Sequence, residues 1–126
     1  MTILDQLADH ARERVAAAQR AVHLEELRRQ ACSLPRGNFA FERAMGKEGL
    51  SFICECKRAS PSKGLIALEF PYLQIAREYE AAGADGISVL TEPKWFLGSD
   101  QYLQEIARAV SVPCLRKDFT VDAYMI

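Results

Sequence analysis

The sequence holds no apolar run near the roughly 18 residues that a membrane-spanning helix requires, so no membrane partner is expected. Its opening residues include Asp5, Asp9, Arg12 and Glu13, which interrupt the apolar stretch of a secretory signal and do not suit acid-poor transit peptides. A chain of cytoplasmic type is the expectation. An excess of either charge is also lacking: 16 Lys and Arg face 17 Asp and Glu, a net charge of −1. That balance supplies no general electrostatic pull toward nucleic acid. Histidine is limited to His10 and His23, and none of Cys32, Cys54, Cys56 and Cys114 stands in a Cys-x-x-Cys pair. Zinc spacing is therefore missing and no metal is expected. The four thiols read as reduced, buried, small apolar side chains. Low-complexity stretches are absent as well, and the near-average apolar and charged content excludes disordered and collagen-like classes.

What remains is an ordinary globular composition, 49% apolar and 26% charged over 126 residues, a length that suits one domain. Ile3, Leu4, Leu7, Ala8, Ala11, Val15, Ala18 and Val22 recur at helical spacing, predicting a helix from Thr2 to about Leu27 with Thr2 and Asp5 as a capping pair. Ser33-Leu34-Pro35-Arg36-Gly37 breaks the pattern. A short helix is expected from Phe39 to Lys47, with Asn38 as N-cap and Gly49 past its end.

The pattern then turns to strands. Residues 50–56, 85–91 and 112–117 are compact apolar runs, separated by helical patterns from Pro71 to Ala82 and from Ser99 to Val110. Alternating strands and helices with short connections imply crossovers and a parallel sheet, hence an α/β fold. A further helix is expected to begin at Val121. Its lack of an end before Ile126 suggests a chain cut from something longer.

Candidate chemistry gathers at the carboxyl ends of these strands, where α/β proteins place their ligands. Glu55 and Lys57 close the first strand two residues apart, so their side chains leave one face. Lys117 closes the third, and in a closed barrel alternate strands feed the same interior layer. Two ammonium groups near one point attract an anionic substrate and suit proton transfer near neutrality. The same spacing also fits ordinary surface lysines. Ser60-Pro61-Ser62-Lys63-Gly64 offers hydroxyls and an amine for a phosphate or carboxylate, or a lid, or a plain turn. Trp95 and Phe96 either wall a ring-shaped ligand or pack on the next helix.

Three ordered motifs carry a resemblance. Ile53-Cys54-Glu55-Cys56-Lys57-Arg58-Ala59-Ser60-Pro61-Ser62-Lys63-Gly64 resembles the signature of the indole-3-glycerol phosphate synthase family. Ser88-Val89-Leu90-Thr91-Glu92 with Phe96 and Gly98-Ser99 is similar to that family's second strand and loop, and Pro113-Cys114-Leu115-Arg116-Lys117-Asp118-Phe119 to its third. The resemblance implies the N-terminal part of a (β/α)8 TIM barrel, with a helical extension over 1–48 and about three of the eight strands over 49–126. It implies ring closure with decarboxylation and dehydration of a carboxyphenylamino-deoxyribulose phosphate, without metal or organic cofactor. Lys117 is then the general acid. Lys57 holds the anionic substrate and assists proton transfer in contact with Glu55, which orients the sugar hydroxyls. Ser60 touches the substrate's acidic end, and Phe96 and Phe119 line its anthranilate pocket.

The resemblance also implies that later strands bring a second catalytic carboxylate and the glycine-rich phosphate loops, so the 126 residues by themselves are expected to be inactive. Two other readings compete. One is a non-catalytic chain that folds by self-association through exposed sheet edges. The other is a different ribulose-phosphate barrel such as phosphoribosylanthranilate isomerase, which relies on Cys and Asp at strand ends where this sequence has Lys.

Overall fold

The computed structural model describes every residue, Met1–Ile126. Two compact units arise, one from Met1–Gly37 with Phe119–Ile126, the other from Asn38–Asp118.

The first unit holds α1 (Ile3–Ala21), α2 (Leu24–Ser33) and a 3-10 turn (Ala123–Met125). Thr2 and Asp5 cap α1 reciprocally: the Asp5 N–H donates to Thr2 Oγ1 at 3.1 Å, and the Thr2 N–H to Asp5 Oδ2 at 2.8 Å. Leu7, Ala11 and Val15, four residues apart, form its buried stripe. At its far end the Tyr124 hydroxyl donates to the carbonyls of Ala18 and Val22. The Ala18 carbonyl thus takes a second donor beside the Val22 N–H that closes α1, and the Val22 carbonyl lies just past the helix end.

The single helix expected from Thr2 to Leu27 is in fact two. Val22 and His23 are extended, and α2 then continues to Ser33. Neither residue is Gly or Pro, so periodicity carried no sign of the break. Both have weaker helix propensity than their neighbours, and Glu25 and Glu26 favour a fresh helix start at Leu24. The helix expected from Val121 is only the 3-10 turn, capped by Asp122.

The second unit contains α3 (Ala40–Met45), β1 (Ile53–Cys56), β2 (Ala59–Ser60), β3 (Gly64–Leu65), α4 (Tyr72–Ala81), β4 (Gly86–Leu90), α5 (Asp100–Ala109) and β5 (Cys114–Lys117). β1, β4 and β5 form a parallel sheet in that order, with Glu55 opposite Ser88 and Leu90 opposite Lys117. Strand alternation puts Cys54, Cys56, Ile87, Val89, Cys114 and Arg116 on one face. Cys56, Ile87 and Val89 pack there with Ala76 of α4 and Ile106 of α5 into the core. Burial of each large aliphatic side chain contributes about 1.5–3 kcal/mol. Ile53, Glu55, Ser88, Leu90, Leu115 and Lys117 occupy the other face.

α3 begins after Phe39, whose left-handed backbone (φ 57°) replaces the expected Asn38 cap, and Gly46 rather than Gly49 ends it. The segment after β1 is more ordered than a loop: β2 and β3 pair as an antiparallel hairpin. Cys56 is buried and the other thiols less so, with Cys32 exposed, contrary to the expectation of four buried thiols. Cys32 lies on α2, which buries no residue. No helix is long and apolar enough to cross a membrane.

Candidate active site

Glu55, Lys57 and Lys117 meet at the carboxyl ends of β1 and β5. Lys117 Nζ lies 2.8 Å from Glu55 Oε2, and Lys57 Nζ lies 3.3 Å from Glu55 Oε1. Each carboxylate oxygen thus holds one ammonium. Ser88 Oγ, on β4 between them, donates to Oε2 at 3.3 Å. The Tyr79 hydroxyl donates to the Glu55 carbonyl at 2.9 Å, fixing the strand end from the helix side. Burial pushes the Glu55 carboxyl up, but the hydrogen bonds and charges of Lys117 and then Lys57 outweigh it and hold the pKa below its ordinary value. At neutral pH the centre carries two positive charges and one negative one. Both lysines keep solvent access, 36% for the Lys57 side chain and 53% for that of Lys117. Such a centre can attract an anion and deliver a proton.

The position of Lys117 is set by the end of β4. The Thr91 N–H donates to the Lys117 carbonyl at 3.0 Å, and Thr91 Oγ1 to Asp118 Oδ2 at 2.7 Å. Asp118, its side chain almost fully buried, also lies 3.7 Å from Arg116. Thr91 thereby holds the chain just after the Lys117 side chain through two hydrogen bonds, one to its carbonyl and one to Asp118.

Ser60 is buried in β2, and its Oγ accepts the Lys63 N–H at 3.2 Å within the hairpin. Arg58 closes that segment from outside, donating to the carbonyls of Ala67 and Leu68. Phe96 lies half-buried in the loop after β4. Phe119 follows Asp118 directly and is the first residue of its segment in the other unit. So the three charged residues come together, while Ser60 makes its hydroxyl contacts inside the hairpin.

Sequence reasoning passed over Glu92. Its carboxylate is wholly buried and accepts three successive N–H groups, from Lys94, Trp95 and Phe96. Partners that are backbone amides leave no mark in a sequence. Asp118 and Ser88 escaped notice for a similar reason, since their roles depend on strand register. No group of three His, Cys, Asp or Glu side chains is placed to hold a metal ion. Burial, with the nearby Cys114, Cys54 and Glu55, pushes the Cys56 thiol up to about 11, so it is no nucleophile.

A parallel sheet with a lysine–glutamate–lysine centre at its carboxyl edge defines an α/β protein. The family model described as "Indole-3-glycerol phosphate synthase" matches residues 4–126. Relatives carrying that same name include proteins of Ruminiclostridium cellulolyticum, 53% identical, and Endomicrobium trichonymphae, 50% identical. Each match covers 98% of this chain and 48% of the relative. A third, from Lactiplantibacillus plantarum, is 52% identical over 98% of this chain and 47% of its own length. The chain belongs to the indole-3-glycerol phosphate synthase family. It spans about half the length of the curated relatives it matches.

Proposed function

We propose that these residues supply the first three strands, and the helices around them, of a (β/α)8 barrel lyase working in the cytoplasm. The reaction closes the pyrrole ring of 1-(2-carboxyphenylamino)-1-deoxyribulose 5-phosphate with loss of carbon dioxide and water, giving indole-3-glycerol phosphate. The observation that carries the reading is the Lys57–Glu55–Lys117 bridge. Lys117 Nζ gives a proton to the substrate carbonyl oxygen as the aryl ring carbon attacks the carbonyl carbon, leaving a hydroxyl. The ring is then cationic, and the carboxylate's carbon–carbon electron pair returns to it as carbon dioxide departs. Loss of that hydroxyl as water, with a proton from the adjacent carbon, completes the indole. Glu55 orients both ammonium groups and the sugar hydroxyls, and Lys57 holds the anionic substrate and assists proton transfer. Ser60 meets the acidic end, and Phe96 and Phe119 wall the anthranilate ring. The electron flow needs no cofactor.

The test is turnover followed by indole fluorescence. A single chain joining residues 1–126 to the second half of the Ruminiclostridium cellulolyticum relative is expected to convert the substrate, whereas the 126 residues alone are not. A soluble, folded fusion without turnover would count against the reading.

One observation favours a second property of the 126 residues, association with a second copy of themselves. Ile53 and Leu115 are 49% and 41% exposed on the sheet face opposite the core, and β1 and β5 are open edges. Light scattering is expected to give a mass above 14.1 kDa that falls in Ile53→Glu. A monodisperse single chain at high concentration contradicts it.

A further inference from the structure

We infer that Glu92 is a positioning residue for the aromatic wall of the substrate site, acting through the backbone of residues 94–96. The inference rests on the synthase reading, which is what sets Phe96 against the substrate ring.

Glu92 follows β4 by two residues and has no exposed surface. Its Oε1 accepts the Lys94 N–H at 2.9 Å. Its Oε2 accepts the Trp95 and Phe96 N–H groups at 2.8 and 2.9 Å. Its carbonyl takes the Gly98 N–H at 2.8 Å, so the loop from 92 to 98 closes on its own first residue. Successive amides converging on one point form a nest that suits an anion. Here the nest is filled by the chain's own carboxylate, which makes it a clamp and not a site for an external anion.

The far side of the loop is equally constrained. Leu97 has a left-handed backbone (φ 50°), and Gly98 passes so close to β4 that a Cβ there would sit 2.3 Å from the Leu90 carbonyl oxygen. With Gly98 pressed on the strand and three amides held by Glu92, the backbone of Phe96 has one place to be. Glu92 itself is enclosed and does not meet the reacting atoms. Its removal should therefore weaken binding of the ring more than it slows the proton transfer at Lys117.

Trp95 is the only tryptophan of the sequence and donates its backbone N–H to this carboxylate, so its indole emission reports on the loop that the clamp holds. In the 126-residue chain, Glu92→Gln is expected to red-shift that emission and lower its anisotropy while far-UV circular dichroism stays unchanged. In the fused enzyme, Phe96→Ala is expected to raise KM about tenfold, the scale of one aromatic contact. Glu92→Gln should raise KM by a similar factor with kcat within about threefold, and the double variant should be no worse than the worse single one. Glu92→Asp, which keeps the charge on a shorter arm, should fall between wild type and Glu92→Gln.

Unchanged Trp95 emission in Glu92→Gln overturns the clamp alone. A raised KM in Phe96→Ala with an unmoved KM in Glu92→Gln, or effects that multiply in the double variant, overturns the positioning role. An unmoved KM in Phe96→Ala overturns the place given to Phe96 in the synthase reading, and the positioning role with it. If Glu92→Gln does not fold, Glu92→Asp decides: wild-type emission and KM there overturn the proposal.

Discussion

Glu55 at the end of β1 accepts a 2.8 Å hydrogen bond from Lys117 at the end of β5, 62 residues further along the chain. The two strands do not pair; β4 lies between them and contributes Ser88 to the same carboxylate. The contact therefore depends on register across two strand pairs, and a slip of one residue in either would turn one partner to the other face. It also joins the first strand of the sheet to the last, so structure and chemistry share one ion pair.

Replacing Glu55 with Gln should show that double role in the pH dependence of stability. The folded carboxyl has a lowered pKa, so its contribution is present above the ordinary glutamate value and is lost as pH falls through the folded one. Thermal melting of the wild type from about pH 7 to about pH 3 is expected to decline across that window. The variant should start lower at neutral pH, where two ammonium groups lose their shared counter-ion, and decline less in acid. Parallel curves would mean that the Glu55 bridges add no stability.

Two glycines should respond differently to one added methyl group. At Gly98 the new Cβ would meet the Leu90 carbonyl oxygen at 2.3 Å, backbone that cannot step aside. At Gly86 it would meet the end of the Phe41 side chain at 2.9 Å, which can move. Gly98→Ala should therefore cost at least the about 1–3 kcal/mol typical of overpacking, and Gly86→Ala less. Denaturant midpoints check the order, and a reversed order would refute the assignment.

Leu97 pays for its left-handed φ of 50° without glycine's freedom, and the residue is exposed rather than part of the core. Leu97→Asn should raise stability by about 0.5–1 kcal/mol, because Asn tolerates that region better. A lower melting temperature would show that the leucine makes contacts worth more than the strain.

Much of the second unit was legible because its signals are local. Compact apolar runs marked β1, β4 and β5, helical patterns between them marked α4 and α5, and Ser99 caps α5 as its chemistry suggests, accepting the Gln101 N–H. The pairing of Glu55 with Lys57 followed from the two-residue repeat of a strand. Convergence of Lys117 on the same point needed the assumption of a parallel sheet with β4 in the middle, which the fold supplies. What stayed illegible depends on backbone partners or on tertiary context. The bend at Val22 and His23 has no breaker residue, and the hairpin at 59–65 is two residues per strand, too short for periodicity to speak. The clamp that Glu92 forms left no trace because amide donors are the same in every sequence.

The most direct measurement is the turnover of Lys117→Ala in the single chain that joins residues 1–126 to the second half of the Ruminiclostridium cellulolyticum relative, followed by indole fluorescence. Loss of the general acid should lower kcat by about 10²- to 10⁴-fold, with KM within about threefold of the unsubstituted fusion. A Lys117→Ala fusion that closes the ring at the unsubstituted rate would contradict the role given to Lys117 and the reading of the centre built on it.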